Sequence, residues 1–133
     1  MSVASIVARG RRAAEALMVD TVTVERQTGT TMDPNTLAEV PVLTEIYEGR
    51  GRVQRPGGSA ARDDVSGATE FGLSTVLVQL PLSATGVLRG DRVSVTAIGA
   101  TTDPDLFGLV ATVQTNLTKT HPTKRTLVCE EVS

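Results

Sequence analysis

Residues 74–82 read Ser-Thr-Val-Leu-Val-Gln-Leu-Pro-Leu, with Val76, Val78, Leu80 and Leu82 on one side of an extended chain and Thr75, Leu77 and Gln79 on the other. A period of two is the mark of a strand with one buried face. The same period starts upstream at Thr21, where Val22 and Val24 alternate with Thr21, Thr23 and Glu25. It returns downstream in Val93, Val95 and Ala97, in Leu109, Ala111 and Val113, and in Leu127 and Cys129 within 125–132. Residues 39–48, which contain Ile46 and Tyr47, read as another extended segment. Gly49 and Gly51 are expected to mark a bend or bulge before Arg52 to Arg55. Polar turns separate these runs: Gly29 to Leu37 with Asp33, Pro34 and Asn35, then Leu88 to Asp91, Thr101 to Gly108, and 117–124. Six or so short strands with such punctuation predict a mainly β, antiparallel barrel or sandwich over 21–132.

Composition agrees. The chain holds 19 threonines and 18 valines, β-branched residues that pack well on a pleated surface and lose side-chain freedom in a helix. At 133 residues one core is expected, and hence a single domain over 1–133. Aromatic content is 2%, so that core must be aliphatic, and buried contact with sister subunits would help it.

Before the first strand, Ser2 can cap a helix over 3–18 in which Val3, Ile6, Val7, Ala14, Leu17 and Met18 recur at mostly helical spacing. Gly10 in its middle costs about 1 kcal/mol relative to Ala, so packing against the barrel or against another chain is expected to hold it. Val3, Ile6, Val7 and Leu17 are the expected assembly face.

The stretch 56–72 breaks the strand pattern. It combines Pro56, Gly57, Gly58, Ser59, Gly67 and Gly72 with Arg62, Asp63, Asp64 and Glu70, and has almost no apolar periodicity. A loop of this length inside a compact domain is expected to be either functional or disordered.

Catalytic signals are weak. The single histidine, His121, sits in a Lys-Thr-His-Pro turn, and the single cysteine, Cys129, in a predicted strand, so a turn imidazole and a core thiol are expected in place of a nucleophile pair. One Cys and one His supply half of a four-ligand zinc site, and the glycines of 49–59 lack the GxxxxGK[ST] spacing that cradles phosphate. No cofactor or metal is expected. Asp63 and Asp64 are adjacent in a loop and read as a solvated pair, not as converging carboxylates. Arg89-Gly90-Asp91 spells an adhesion tripeptide but lies between two strands, where it reads as a turn.

Net charge is −2 with both signs interspersed, which excludes a global field that draws the chain onto nucleic acid. Arg50, Arg52, Arg55 and Arg62 cluster near the loop and could touch phosphate. The alternative is a solvated edge or ion pairing with acids on an adjacent subunit. With one cysteine no internal disulfide can form, and an intracellular assembly site is expected. The apolar stretch Val3 to Ala8 is too short for a signal, and nothing approaches the roughly 20 apolar residues of a membrane span.

Several stretches resemble a known family: Ala14-Glu15-Ala16-Leu17-Met18, Asp20-Thr21-Val22-Thr23-Val24, Thr28-Gly29, the Asp33-Pro34 turn, Tyr47-Glu48-Gly49, Gly51-Arg52-Val53-Gln54, and Leu88-Arg89-Gly90-Asp91-Arg92-Val93. They are similar to head-closure, or head-to-tail connector, proteins of tailed phages and prophages of actinobacteria. The match covers nearly the whole chain, but its motifs are structural punctuation. The resemblance implies a β-barrel subunit of a ring of about twelve copies in the virion neck, made in the host bacterial cytoplasm. Its implied partners are its own copies, the portal-adaptor protein, a tail terminator or tail-tube protein, and packaged double-stranded DNA, with no membrane.

In related stopper rings a loop after the second barrel strand enters the channel. The resemblance carries that role to Arg55, Pro56, Gly57, Gly58, Ser59, Arg62, Asp63, Asp64, Gly67 and Glu70. Two rivals remain on the sequence: a tail-terminator or tail-completion ring, and a cellular β-barrel module that binds nucleic acid through its arginines. An enzyme would need activity dependent on His121 or Cys129.

Overall fold

A computed structural model describes residues 2–55 and 74–132. A helix, α1 (Val3–Ala16), precedes six strands: β1 (Asp20–Met32), β2 (Glu39–Gln54), β3 (Thr75–Leu80), β4 (Arg92–Ala97), β5 (Val110–Leu117) and β6 (Arg125–Glu131), with one 3-10 turn at Pro104–Leu106. All strand pairs are antiparallel, and the sheet closes on itself in the order β1-β2-β3-β6-β5-β4. The mainly β expectation is therefore met, in the closed form.

Alternation builds the interior. Val22 and Val24 from β1, Val76, Val78 and Leu80 from β3, Val93 and Val95 from β4, Ala111 and Val113 from β5, and Leu127 and Cys129 from β6 all turn inward and form one buried cluster. Each of the valines and leucines contributes on the order of 2 kcal/mol by leaving water. Among the described residues no aromatic side chain lies fully inside; Tyr47 packs at the edge of the cluster.

The elements differ from the sequence expectation in three places. Helix α1 ends at Ala16, two residues early, because Leu17 N–H bonds Ala14 O and Met18 N–H bonds Glu15 O in a tightened final turn. Met18 is then free to turn inward, where it is 2% exposed. The turn expected over Gly29 to Leu37 is shorter: β1 continues through Gly29 to Met32, and only the chain between Met32 and Glu39 reverses. Threonines at 28, 30 and 31 keep that stretch extended despite the glycine.

The third difference concerns Gly49 and Gly51, which do not break β2. The register shifts fall elsewhere, at Ile46 on β2 and Thr28 on β1, each an extra residue in an otherwise continuous ladder. The glycines serve close approach instead. A Cβ on Gly51 would lie 2.9 Å from Val22 Cγ2 and 3.2 Å from Leu80 Cδ2, across the barrel interior. A Cβ on Gly49 would meet the Tyr47 hydroxyl, which donates to Arg50 O at 2.7 Å.

Candidate functional site

The long pairing of β1 with β2 outruns the barrel. Toward its tip, Arg26–Met32 and Glu39–Thr44 pair with each other and, among the described residues, with no other strand. This leaves a two-stranded arm, a form of sheet that is marginal in water without a third layer. Aliphatic side chains stand exposed on it: Met32, Leu37, Val40, Val42 and Leu43. Its tip is an ordered turn. Asp33 accepts from Asn35 N–H through Oδ1 at 2.8 Å, its N–H donates to Ala38 O at 2.9 Å, and Leu37 N–H donates to Asp33 O at 2.7 Å. That geometry holds Leu37 at φ 58° and leaves it 71% exposed. A branched side chain gains nothing locally from the left-handed region, where Gly or Asn costs less.

At the arm's base, Arg26 makes a two-pronged bond to Asp91, Nε and Nη2 each 2.8 Å from a carboxylate oxygen, while Nη2 also reaches Gly86 O at 2.7 Å. Leu88 N–H donates to Asp91 Oδ2 at 2.8 Å. Burial pushes the Asp91 carboxyl up, but the Arg26 guanidinium and Leu88 N–H more than offset it and hold the group below the ordinary carboxylate range. The Arg89-Gly90-Asp91 stretch is the expected turn, with Gly90 at φ 93°. Its Asp91, however, points inward and joins the arm to the barrel.

Helix α1 buries no residue completely. Val7, Gly10 and Ala14 are half-buried toward the barrel, and Gly10 lies where a Cβ would be 2.7 Å from Thr123 Cγ2. Packing against the barrel thus accommodates the mid-helix glycine. Of the expected assembly face, Val3, Ile6 and Leu17 are exposed and Val7 is half-buried; Leu17 follows the last helical residue. Between α1 and the β5–β6 turn lies an open groove of about 430 Å3 lined by Val3, Ala4, Val7, Arg11, His121 and Pro122. Pro122 also borders a second recess with Lys119, Lys124 and Arg125.

The arginine cluster is divided among separate contacts. Arg50 pairs with Glu15 at 3.3 Å and Arg55 with Glu131 at 2.9 Å, so acids of the same chain take the part that the sequence alternative gave to a neighbour. Arg52 lines a cleft beside Asp20 and Asp103. Asp20 is 4% exposed and accepts from Gly99 N–H at 2.9 Å and from the Thr102 hydroxyl, so it fastens the start of β1 to the β4–β5 connection. Arg62, Asp63, Asp64, Glu70 and the other residues of 56–72 named above lie outside the described residues.

Cys129 faces the core and His121 stands exposed in the β5–β6 turn, so the pair is not assembled. Burial pushes the Cys129 thiol up to about 12, which makes it a poor nucleophile at neutral pH. Among the described residues no three His, Cys, Asp or Glu side chains are grouped to hold a metal ion. No described helix is long and apolar enough to cross a membrane.

The arm was the feature that sequence reading missed. Its signal is the alternation of Val40 and Val42, whose partner strand the turn chemistry from Gly29 onward hides.

These features define a class of small closed-sheet proteins with an appended helix and a projecting hairpin. Residues 10–130 match the model of a family of unknown function, DUF6093, and the chain belongs to that family. The solution structure of protein SF1141 from Shigella flexneri 2a is similar to it in fold. The TM-score is 0.61 at 18% identity, over 86% of this chain and 92% of that one. Comparison with curated proteins finds no match.

Proposed function

We propose that the chain is a structural subunit of a tailed-phage neck, a head-closure or head-to-tail connector ring that joins the portal-adaptor complex to the tail and helps retain packaged DNA. The observation that carries this is the arm: a hairpin displaying aliphatic side chains beyond a barrel that is already closed. A protein that acted alone would gain nothing from such a ribbon, whereas a ring subunit uses it to reach its neighbours. The exposed Val3 and Ile6 of α1 add a second surface of the same kind. The motif resemblance from Ala14 to Val93 supplies the phage setting. The proposed role includes no catalytic step, and its place is the virion neck.

The test is genetic and microscopic. In a phage that encodes this chain, removing its gene should give heads that package DNA, then lose it, and never join tails. Stably filled heads beside tails of irregular length would instead indicate a tail terminator. Phage particles of normal composition and infectivity without the protein would refute the assignment.

A further inference from the structure

Among the described residues, the non-glycine positions with positive φ are Leu37, at 58°, and His121, at 56°. Strained backbone of this kind persists where the surrounding structure imposes it, and it concentrates at contact and functional sites. Here one position projects a leucine from the tip of the arm, and the other shapes the turn that walls the groove beside α1. The two places are opposites in form and in charge. The tip, residues 33–39, carries Asp33 and Glu39 and no basic residue. The groove presents apolar Val3, Ala4, Val7 and Pro122 together with Arg11 and His121, and Lys119 and Lys124 lie in the recess that shares Pro122. Arg11, Lys119 and Lys124 form no ion pair among the described residues.

We propose that the tip of the arm docks into this groove on a second copy of the chain, Leu37 seating between α1 and the β5–β6 turn while Asp33 and Glu39 face its basic rim. Leu37 stands exposed on its own copy, so the occupant of the groove is the arm of another. Tip and groove are different surfaces, and the contact is therefore head-to-tail. Repeated contacts of that type close into a ring when the rotation permits and otherwise run on as a filament. The inference rests on the ring-subunit reading and names the contact that would build the ring.

Two sets of variants test it, with self-association measured by sedimentation and native mass spectrometry and folding by thermal melting. Leu37→Gly relieves the left-handed strain, so the melting temperature should hold or rise while association weakens by about tenfold or more. Glu39→Lys alone, and Arg11→Glu with Lys119→Glu alone, should each prevent association. Mixed in equal amounts, the two should recover it as alternating assemblies, because each tip again meets a groove of opposite charge. If the wild-type chain associates and all the variants associate equally well, the docking is wrong and the ring reading survives. If the wild-type chain stays monomeric at the highest soluble concentration and on purified adaptor-bearing heads, both fail.

Discussion

Replacing Gly51 by alanine tests the packing of the barrel at a single atom. The added Cβ would lie 2.9 Å from Val22 Cγ2 and 3.2 Å from both Val22 Cγ1 and Leu80 Cδ2. Val22 and Leu80 are fully buried, so neither can swing aside into solvent. Ordinary contact needs about 3.4–4 Å, and a shift of roughly half an ångström in a close-packed interior costs about 1–3 kcal/mol. Alanine also narrows the unfolded ensemble, which returns about 0.4–1 kcal/mol. At the midpoints of those ranges the net loss should be about 1.3 kcal/mol, or a fall in Tm of roughly 3–8 °C for a domain of this size.

Gly29→Ala is the internal control, since a Cβ there meets nothing within 4 Å. It should hold Tm or raise it by up to about 4 °C, since the same narrowing of the unfolded ensemble applies there without a clash. Adding Val22→Ala to Gly51→Ala removes the methyls that clash. The double variant should therefore lose about 1 kcal/mol less than the sum of the two single losses. Scanning calorimetry and urea titration measure wild type, the three single variants and the double variant. A Gly51→Ala variant as stable as wild type, or strictly additive losses, would refute the claim that glycine is there for lack of room.

Two further outcomes follow from ionisable groups. The folded-state pKa of Asp91 lies below its unfolded value, so its contribution is present above the unfolded pKa and disappears as pH falls through the folded one. Stability should accordingly drop on acidification below about pH 4, and Asp91→Asn should flatten that limb of a urea-midpoint profile; an unchanged acid limb would separate the Arg26–Asp91 bridge from stability. Cys129, with its thiol pushed up to about 12 inside the core, should react with a disulfide reagent only as fast as the barrel opens. Labelling should be suppressed in native buffer and rapid in denaturant, and fast labelling of the native protein would contradict the burial.

The barrel was legible because Val22, Val24, Val76, Val78, Val93, Val95, Ala111, Val113 and Leu127 obey one rule, alternation across a single buried face. Strand order was not, because period two says which residues turn inward and nothing about which strand lies beside which. β6 enters between β3 and β5, a placement fixed by closure of the whole sheet. The arm escaped notice for a physical reason as well. Both its faces meet solvent, so burial imposes no alternation on it, and Gly29 and Pro41 resemble turn and breaker signals. The Arg26–Asp91 bridge joins residues 65 positions apart, beyond any local pattern. Local pattern nevertheless placed Cys129 in the core, because a lone thiol in an alternating strand follows its neighbours inward, and the Lys-Thr-His-Pro run placed His121 in a turn.

The placement of β6 also governs how the chain is made. Its two edges bond β3 on one side and β5 on the other, through Arg125–Glu130 and Thr126–Glu131. Until those residues are free to pair, β3 and β5 each keep one edge open. The nascent chain can form the β1–β2 hairpin early, but the cylinder cannot shut until the last strand is released. During that interval two valine-rich edges are available to any extended segment nearby, which makes chaperone binding at β3 and β5 the expected companion of synthesis.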